Sequence, residues 1–141
     1  MRILVINGPN LNMLHMRETL QYGKMGLKEI EEFLVKEFPE DEFIFYQSNE
    51  EGPIINEIQK ADTIADGIII NPGGFAHTSV AIRDALQINK LPKVEVHLSN
   101  LSNRENFRQN LITASACDGY ISGFKEISYY AGIHIIKRIF K

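Results

Sequence analysis

The sequence predicts an α/β protein whose parallel sheet is covered by helices on both faces. Short runs of β-type apolar residues recur along the chain, and each is followed by a stretch with apolar residues at helical spacing. The runs are almost wholly apolar, as expected of strands buried on both sides. Three of them lead directly into segments rich in Asn, His and Ser. These are Asn7-Gly8-Pro9-Asn10 after Ile3-Leu4-Val5-Ile6, Asn71-Pro72-Gly73-Gly74-Phe75-Ala76-His77 after Ile68-Ile69-Ile70, and His97-Leu98-Ser99 after Val94-Glu95-Val96. Open α/β sheets bind ligands outside the carboxyl ends of their strands, so the three segments read as parts of one site.

The first strand is predicted over Arg2 to Asn7. A segment from Gly8 to Gly23 follows, far longer than the about 2–6 residues of an ordinary connection into a helix. Such length marks a lid or binding loop, with Gly23 and Gly26 as candidate hinges. The first helix runs from about Lys24 to Phe38, with Leu27, Ile30, Phe33, Leu34 and Phe38 on one face and Pro39 at its end. Glu42 to Ser48 is the second strand. Gly52-Pro53 opens a helix reaching about Ala61, with Ile54, Ile55, Ile58 and Ala61 inward. The third strand is Gly67 to Asn71; Thr78 or Ser79 caps a helix running to about Asn89. After Pro92 comes the fourth strand, Lys93 to Leu98, then a short helix over about Arg104 to Leu111. Gly119 to Ser122 is the fifth strand, and the final helix carries Ile127, Tyr130, Ala131, Ile135, Ile136 and Ile139. Five such units match the flavodoxin-like order 2-1-3-4-5, which sets the ends of strands one, three and four side by side.

The chain has 141 residues, 44% of them hydrophobic and 23% charged, which suits a single domain over 1–141. A net charge of −3 argues against nucleic acid as a partner. It leaves room for an anionic small molecule, because a few arginines in a cleft set the local field. The lone Cys117 forms no intrachain disulfide and fits a reducing compartment. No apolar run approaches the ~20 residues of a membrane span, and the chain opens on a strand instead of a signal peptide. A cytoplasmic protein without membrane association is expected.

Acid–base groups stand out among the candidate residues. Tyr22 is a phenol, a poor base at neutral pH unless a cation stabilises its phenolate, and Arg17 lies five residues before it. Spacing alone also allows a Tyr22 that covers the N-terminus of the first helix and a solvated Arg17. His97 ends the fourth strand with Glu95 two residues back on the same face, an arrangement that orients or charges an imidazole acting as general acid. A strand-end histidine bonded to a carbonyl remains the other reading. The turn amides at Leu98-Ser99 with the Ser99 hydroxyl suit a carboxylate, and Arg108 could add directed hydrogen bonds. Asn71, His77 and Asp84 read together as a polyol-binding set; singly, each is as easily a cap or turn residue. No G-x-G-x-x-G, Walker A motif, G-x-S-x-G elbow or metal-ligand spacing occurs. Acid–base chemistry on a small polar anion, with no cofactor and no metal, is the expected activity. A flavin- or nucleotide-binding module and a catalytically silent assembly protein are the rival classes.

At this point the motifs resemble those of the type II 3-dehydroquinate dehydratases. The matching pieces span nearly the whole chain: Ile6-Asn7-Gly8-Pro9-Asn10-Leu11-Asn12, Arg17-Glu18 with Tyr22-Gly23, Gln47-Ser48-Asn49 with Glu51-Gly52, Asn71-Pro72-Gly73 with His77-Thr78-Ser79-Val80-Ala81, Arg83-Asp84-Ala85-Leu86, and Glu95-Val96-His97-Leu98-Ser99-Asn100 with Arg104-Glu105 and Phe107-Arg108. The resemblance implies a flavodoxin-like fold, a dodecamer built from trimers, and anti elimination of water from 3-dehydroquinate through an enolate to 3-dehydroshikimate. It implies that Tyr22 is the base, that Arg17 keeps it ionised, that Asn10 holds a water against the enolate oxygen and that His97 protonates the departing hydroxyl. Leu98 and Ser99 would hold the carboxylate, Asn71, His77 and Arg108 the ring hydroxyls, with Glu95 in support, and Asp84 would reach the site of a neighbouring subunit. The chain departs from the family pattern at Ala76, often Thr before the His, in the Pro-less segment Glu18-Thr19-Leu20-Gln21, and over Gln109-Asn110-Leu111-Ile112-Thr113.

Overall fold

A computed structural model describes residues 1–140. Five strands, β1 (Arg2–Asn7), β2 (Glu42–Gln47), β3 (Gly67–Asn71), β4 (Lys93–His97) and β5 (Gly119–Ser122), form one sheet in the order β2-β1-β3-β4-β5, parallel throughout. This is the expected flavodoxin-like order. The helices are α1 (Thr19–Tyr22), α2 (Leu27–Glu37), α3 (Glu51–Ile64), α4 (Val80–Ile88) and α5 (Ile127–Ile139).

Alternation along the strands divides the core into two layers. Ile3 and Val5 of β1, Ile69 of β3, and Val94 and Val96 of β4 face α2 and α5, meeting Ile30, Leu34, Tyr129, Ile133 and Ile136. Leu4, Ile6, Ile68 and Ile70 face the other way, onto Ile54, Ile58 and Ala61 of α3 and Ile82 and Leu86 of α4. The isoleucine run of β3 therefore feeds both layers, which is why it carries no polar alternation. Each such side chain contributes roughly 1.5–3 kcal/mol by leaving water.

Several elements differ from the sequence expectation. The segment 8–23 is not an irregular loop. A 3-10 stretch, Leu11–Met16, buries Leu11 and Leu14 in the core, and α1 then turns Tyr22 inward. Consequently α2 begins at Leu27, three residues later than expected. No single helix covers 104–111. Short 3-10 turns at Leu101–Asn103, Asn106–Gln109 and Thr113–Ala116 take its place. Side chains there bond the backbone and compete with a regular helix: Asn100 Oδ1 accepts from Ser102 N at 3.2 Å, and Gln109 Nε2 donates to Leu101 O at 2.6 Å.

The buried face of α5 is Ser128, Tyr129, Gly132, Ile133 and Ile136, while Ile127, Ile135 and Ile139 stay exposed. The helix is apolar on most sides, so periodicity alone left its facing open. Gly132 fixes it, since a Cβ there would sit 3.0 Å from Ile69 Cδ1 and 3.1 Å from Val96 Cγ1.

The strand ends carry the site. Gly8 N donates to Asn71 O at 2.8 Å, joining the end of β1 to that of β3. A Cβ at Gly8 would lie 2.3 Å from Pro72 O, so only glycine allows this approach. No helix among the described residues is long and apolar enough to cross a membrane.

Candidate active site

Beyond the carboxyl ends of β1, β3 and β4 lies a cavity of about 100 Å³. Its walls include Asn10, Arg17, Tyr22, Asn71, His77, His97, Leu98, Ser99 and Arg108, so the segments picked out in the sequence converge. The volume is well below the roughly 300–1,000 Å³ of pockets for drug-sized ligands. It suits a small polar molecule and disfavours a flavin or nucleotide.

Tyr22 stands at one wall. Arg17 Nη2 donates a short hydrogen bond to its phenolic oxygen, and the guanidinium lies 3.9 Å from the ring centroid. A second cation, which the sequence reading did not assign, reaches the same oxygen. Arg104 Nη1 donates to Tyr22 Oη at 2.6 Å and to Ser99 Oγ at 3.1 Å. Arg104 follows the 3-10 turn Leu101–Asn103 and lies 82 residues from Tyr22 along the chain. Its only trace in the sequence is its membership of the Arg104-Glu105 motif. Two guanidiniums thus converge on one phenolic oxygen, each donating a charge-assisted hydrogen bond.

His97 projects from the end of β4 beside Glu95. His97 Nε2 and Glu95 Oε1 are 2.6 Å apart, and Glu95 has no exposed surface. A carboxylate partner requires Nε2 to carry the proton, which leaves Nδ1 as the nitrogen free for other contacts. The other carboxylate oxygen is also engaged, accepting from Thr113 Oγ1 at 2.6 Å.

His77 ends the 3-10 turn Gly73–His77, stacked beside His97 with ring centroids 6.3 Å apart. His77 Nδ1 donates to Asn110 O at 2.9 Å, so Nε2 is its acceptor side. Burial lowers its pKa from the usual 6.5, and neighbouring His97 and Arg108 push the same way against the Asn110 hydrogen bond. His77 is thus a neutral hydrogen-bonding group at pH 7. Arg108 Nε donates to Glu105 Oε2 at 2.6 Å. The Glu105 backbone amide, and after it this Arg108 contact, hold the Glu105 carboxyl below the usual carboxylate range.

Asn10 adopts the left-handed region at φ 69°, which Asn tolerates better than most residues, and its amide donates to Asn49 Oδ1 at 3.0 Å. Asn71 is fixed from below. Its Nδ2 donates to Tyr129 Oη at 2.9 Å, its Oδ1 accepts from Gly73 N at 3.1 Å, and Tyr129 Oη donates to Asn7 Oδ1 at 2.5 Å. Burial pushes the Tyr129 phenol upward, so this second tyrosine is a structural hydrogen-bond donor.

Asp84 is not in this cavity. His77 precedes the first turn of α4, so it and Asp84 do not lie on one helix. Asp84 projects from α4 with its side chain 60% exposed, 3.3 Å from Arg83 Nη1. Among the described residues no three His, Cys, Asp or Glu side chains gather as metal ligands do.

An open parallel sheet with a doubly cation-paired phenol and a buried carboxylate–imidazole pair at its switch point defines an acid–base site for a small polar molecule. The model of the family Dehydroquinase class II matches residues 1–137. The chain is 54% identical to the 3-dehydroquinate dehydratase of Carboxydothermus hydrogenoformans, over 94% of this chain and 88% of that one. It is 47% identical to the 3-dehydroquinate dehydratase of Thermotoga maritima, over 98% and 96%. The crystal structure of type II dehydroquinase from Butyrivibrio crossotus superposes with a TM-score of 0.93 at 42% identity, covering 97% of both chains. The chain belongs to the class II dehydroquinase family.

Proposed function

We infer that this chain is a 3-dehydroquinate dehydratase, a hydro-lyase of the shikimate pathway that converts 3-dehydroquinate to 3-dehydroshikimate. The family, the names of its relatives and the fold support this activity. The observation that carries the chemical reading is the meeting of Arg17 and Arg104 on Tyr22 Oη.

In this reading the Tyr22 phenolate removes the proton next to the ketone, and the electron pair moves into an enolate. Asn10 holds a water against the enolate oxygen. The enolate then expels the hydroxyl group, which takes a proton from His97 and leaves as water, with the new C=C bond conjugated to the ketone. Base and acid act from opposite faces, giving anti elimination. Glu95 keeps the charged imidazole favourable before transfer and its orientation fixed afterwards. Leu98 and Ser99 bind the carboxylate, and Asn71, His77 and Arg108 bind the ring hydroxyls. The neutral state of His77 fits it to accept from a hydroxyl through Nε2.

The active form is a homo-oligomer, a dodecamer of trimers, in which Asp84 completes a neighbour's site. In support, the outer face of α4 carries Val80, Asp84 and Ile88 at i, i+4 and i+8, with Val80 and Ile88 both largely exposed. Incubating the protein with 3-dehydroquinate tests the activity. The conjugated enone absorbance should rise, and a flat trace from folded protein would refute the assignment.

A further inference from the structure

We propose that Thr113 is a positioning residue for the acid, setting His97 through Glu95. This inference rests on the reading above, in which His97 is the proton donor.

The argument starts from Glu95, a carboxylate with no exposed surface. An ionised carboxylate out of water requires partners on both oxygens. One oxygen has His97 Nε2 at 2.6 Å; the other has Thr113 Oγ1 at 2.6 Å. Thr113 is itself fully buried. A hydroxyl has one proton, and here it goes to Glu95, since an ionised carboxylate only accepts.

The geometry makes a three-member chain, Thr113 to Glu95 to His97, entering the site from behind. Thr113 begins the 3-10 turn Thr113–Ala116, which packs against β4 and α4. Nothing in the cavity wall includes Thr113, so its influence passes through Glu95. Without the hydroxyl, Glu95 would keep one partner and an orphaned buried oxygen. It would then rotate, or take up a proton and cease to favour the imidazolium.

Other titratable and charged groups also face this chain. His77 lies beside His97 from the turn after β3, Arg104, Arg108, Arg17 and Tyr22 line the cavity, and Lys93 and Cys117 lie behind Glu95. All of these are unchanged by substitution at Thr113, so its effect can be isolated.

Wild-type turnover of 3-dehydroquinate is measured first, and its absence would count against the activity itself, not against Thr113. Thr113→Val keeps the shape and removes the donor. Its kcat should fall about tenfold, the scale of one hydrogen bond to a charged group, while KM stays within about twofold. The limb on which kcat falls toward alkaline pH should move to lower pH, because a Glu95 that has rotated or taken up a proton no longer favours the imidazolium of the acid His97. Thr113→Ser should restore both readings. Thr113→Cys, a small but weak donor, should resemble the valine variant and decides the matter if valine does not fold. A valine or cysteine variant with unaltered kcat and pH profile, or a serine variant as impaired as valine, would overturn the proposal.

Discussion

Tyr22 receives hydrogen bonds from two guanidiniums of different origin, Arg17 on the segment leading into α1 and Arg104 beyond β4. Each is expected to hold part of the phenolate's charge. Tyr22→Phe should lower kcat by at least about 100-fold, the lower range for a general base, and leave substrate binding in place. Arg17→Ala and Arg104→Ala should each lower kcat and move the limb that rises with pH to higher pH. A phenylalanine variant turning over like wild type would reassign the base. His77 offers a separate check. Because burial lowers its pKa below 6.5, its imidazole should titrate below that value by NMR, with Nδ1 protonated in the neutral form. The sign follows: the unfolded chain takes up this proton more readily, so His77 contributes stability above pH 6.5 that is lost as pH falls. A midpoint above 6.5 would contradict the burial argument. Residues flanking a strand end were legible in the sequence because their polar identity broke an apolar run. Arg104, Thr113 and Tyr129 were not, since each looks ordinary in its own element and acts across 18 residues or more.

Among elements, β1, β3 and β5 matched their expected bounds, since an apolar run flanked by turn residues is a local signal. The segments 8–23 and 101–116 did not. Their 3-10 stretches are held by tertiary burial of Leu11 and Leu14 and by side-chain bonds to backbone, none of which periodicity reports. The Pro-less stretch Glu18-Thr19-Leu20-Gln21 is accounted for by α1, which begins at Thr19. The return of α5 onto the start of the sheet is secured at its far end by Asp41. That carboxyl, with a side chain 3% exposed, bonds Lys137 Nζ and, at 2.9 Å, the Met1 amine. Burial pushes its pKa up, but the two cations outweigh this and hold it below the usual 3.8. Asp41→Asn should therefore cost about 1 kcal/mol at pH 7, a modest figure because the Lys137 side chain is 32% exposed and screened. A folded pKa below the unfolded one gives stability above about 3.8 that disappears as pH falls through the lower value. Urea titrations of the two proteins should converge in acid. A constant gap at every pH would show that the contribution is not ionic.

For the molecule as a whole, the proposed oligomer would link assembly to turnover through the outer face of α4. Ile88→Asp should break the oligomer by adding a charge to an apolar contact, and sedimentation should show smaller species. Asp84→Asn should leave the assembly intact and lower kcat by about tenfold, or ~1.4 kcal/mol of barrier. A fully active monomer would remove Asp84 from the site and refute the proposed coupling.

The Asn7–Tyr129–Asn71 cluster has a consequence for the order in which the protein comes to life. Tyr129 lies 122 residues from Asn7, and the floor beneath the cavity is finished only when α5 packs onto β4 and β3 and brings Tyr129 to Asn7 and Asn71. A chain still lacking α5 leaves the Asn7 and Asn71 amides without their phenol. Such long-range closure is slow compared with local structure. A chain that ends before α5 therefore lacks the phenol that holds Asn71, and competence for chemistry is expected only once the last helix is in place.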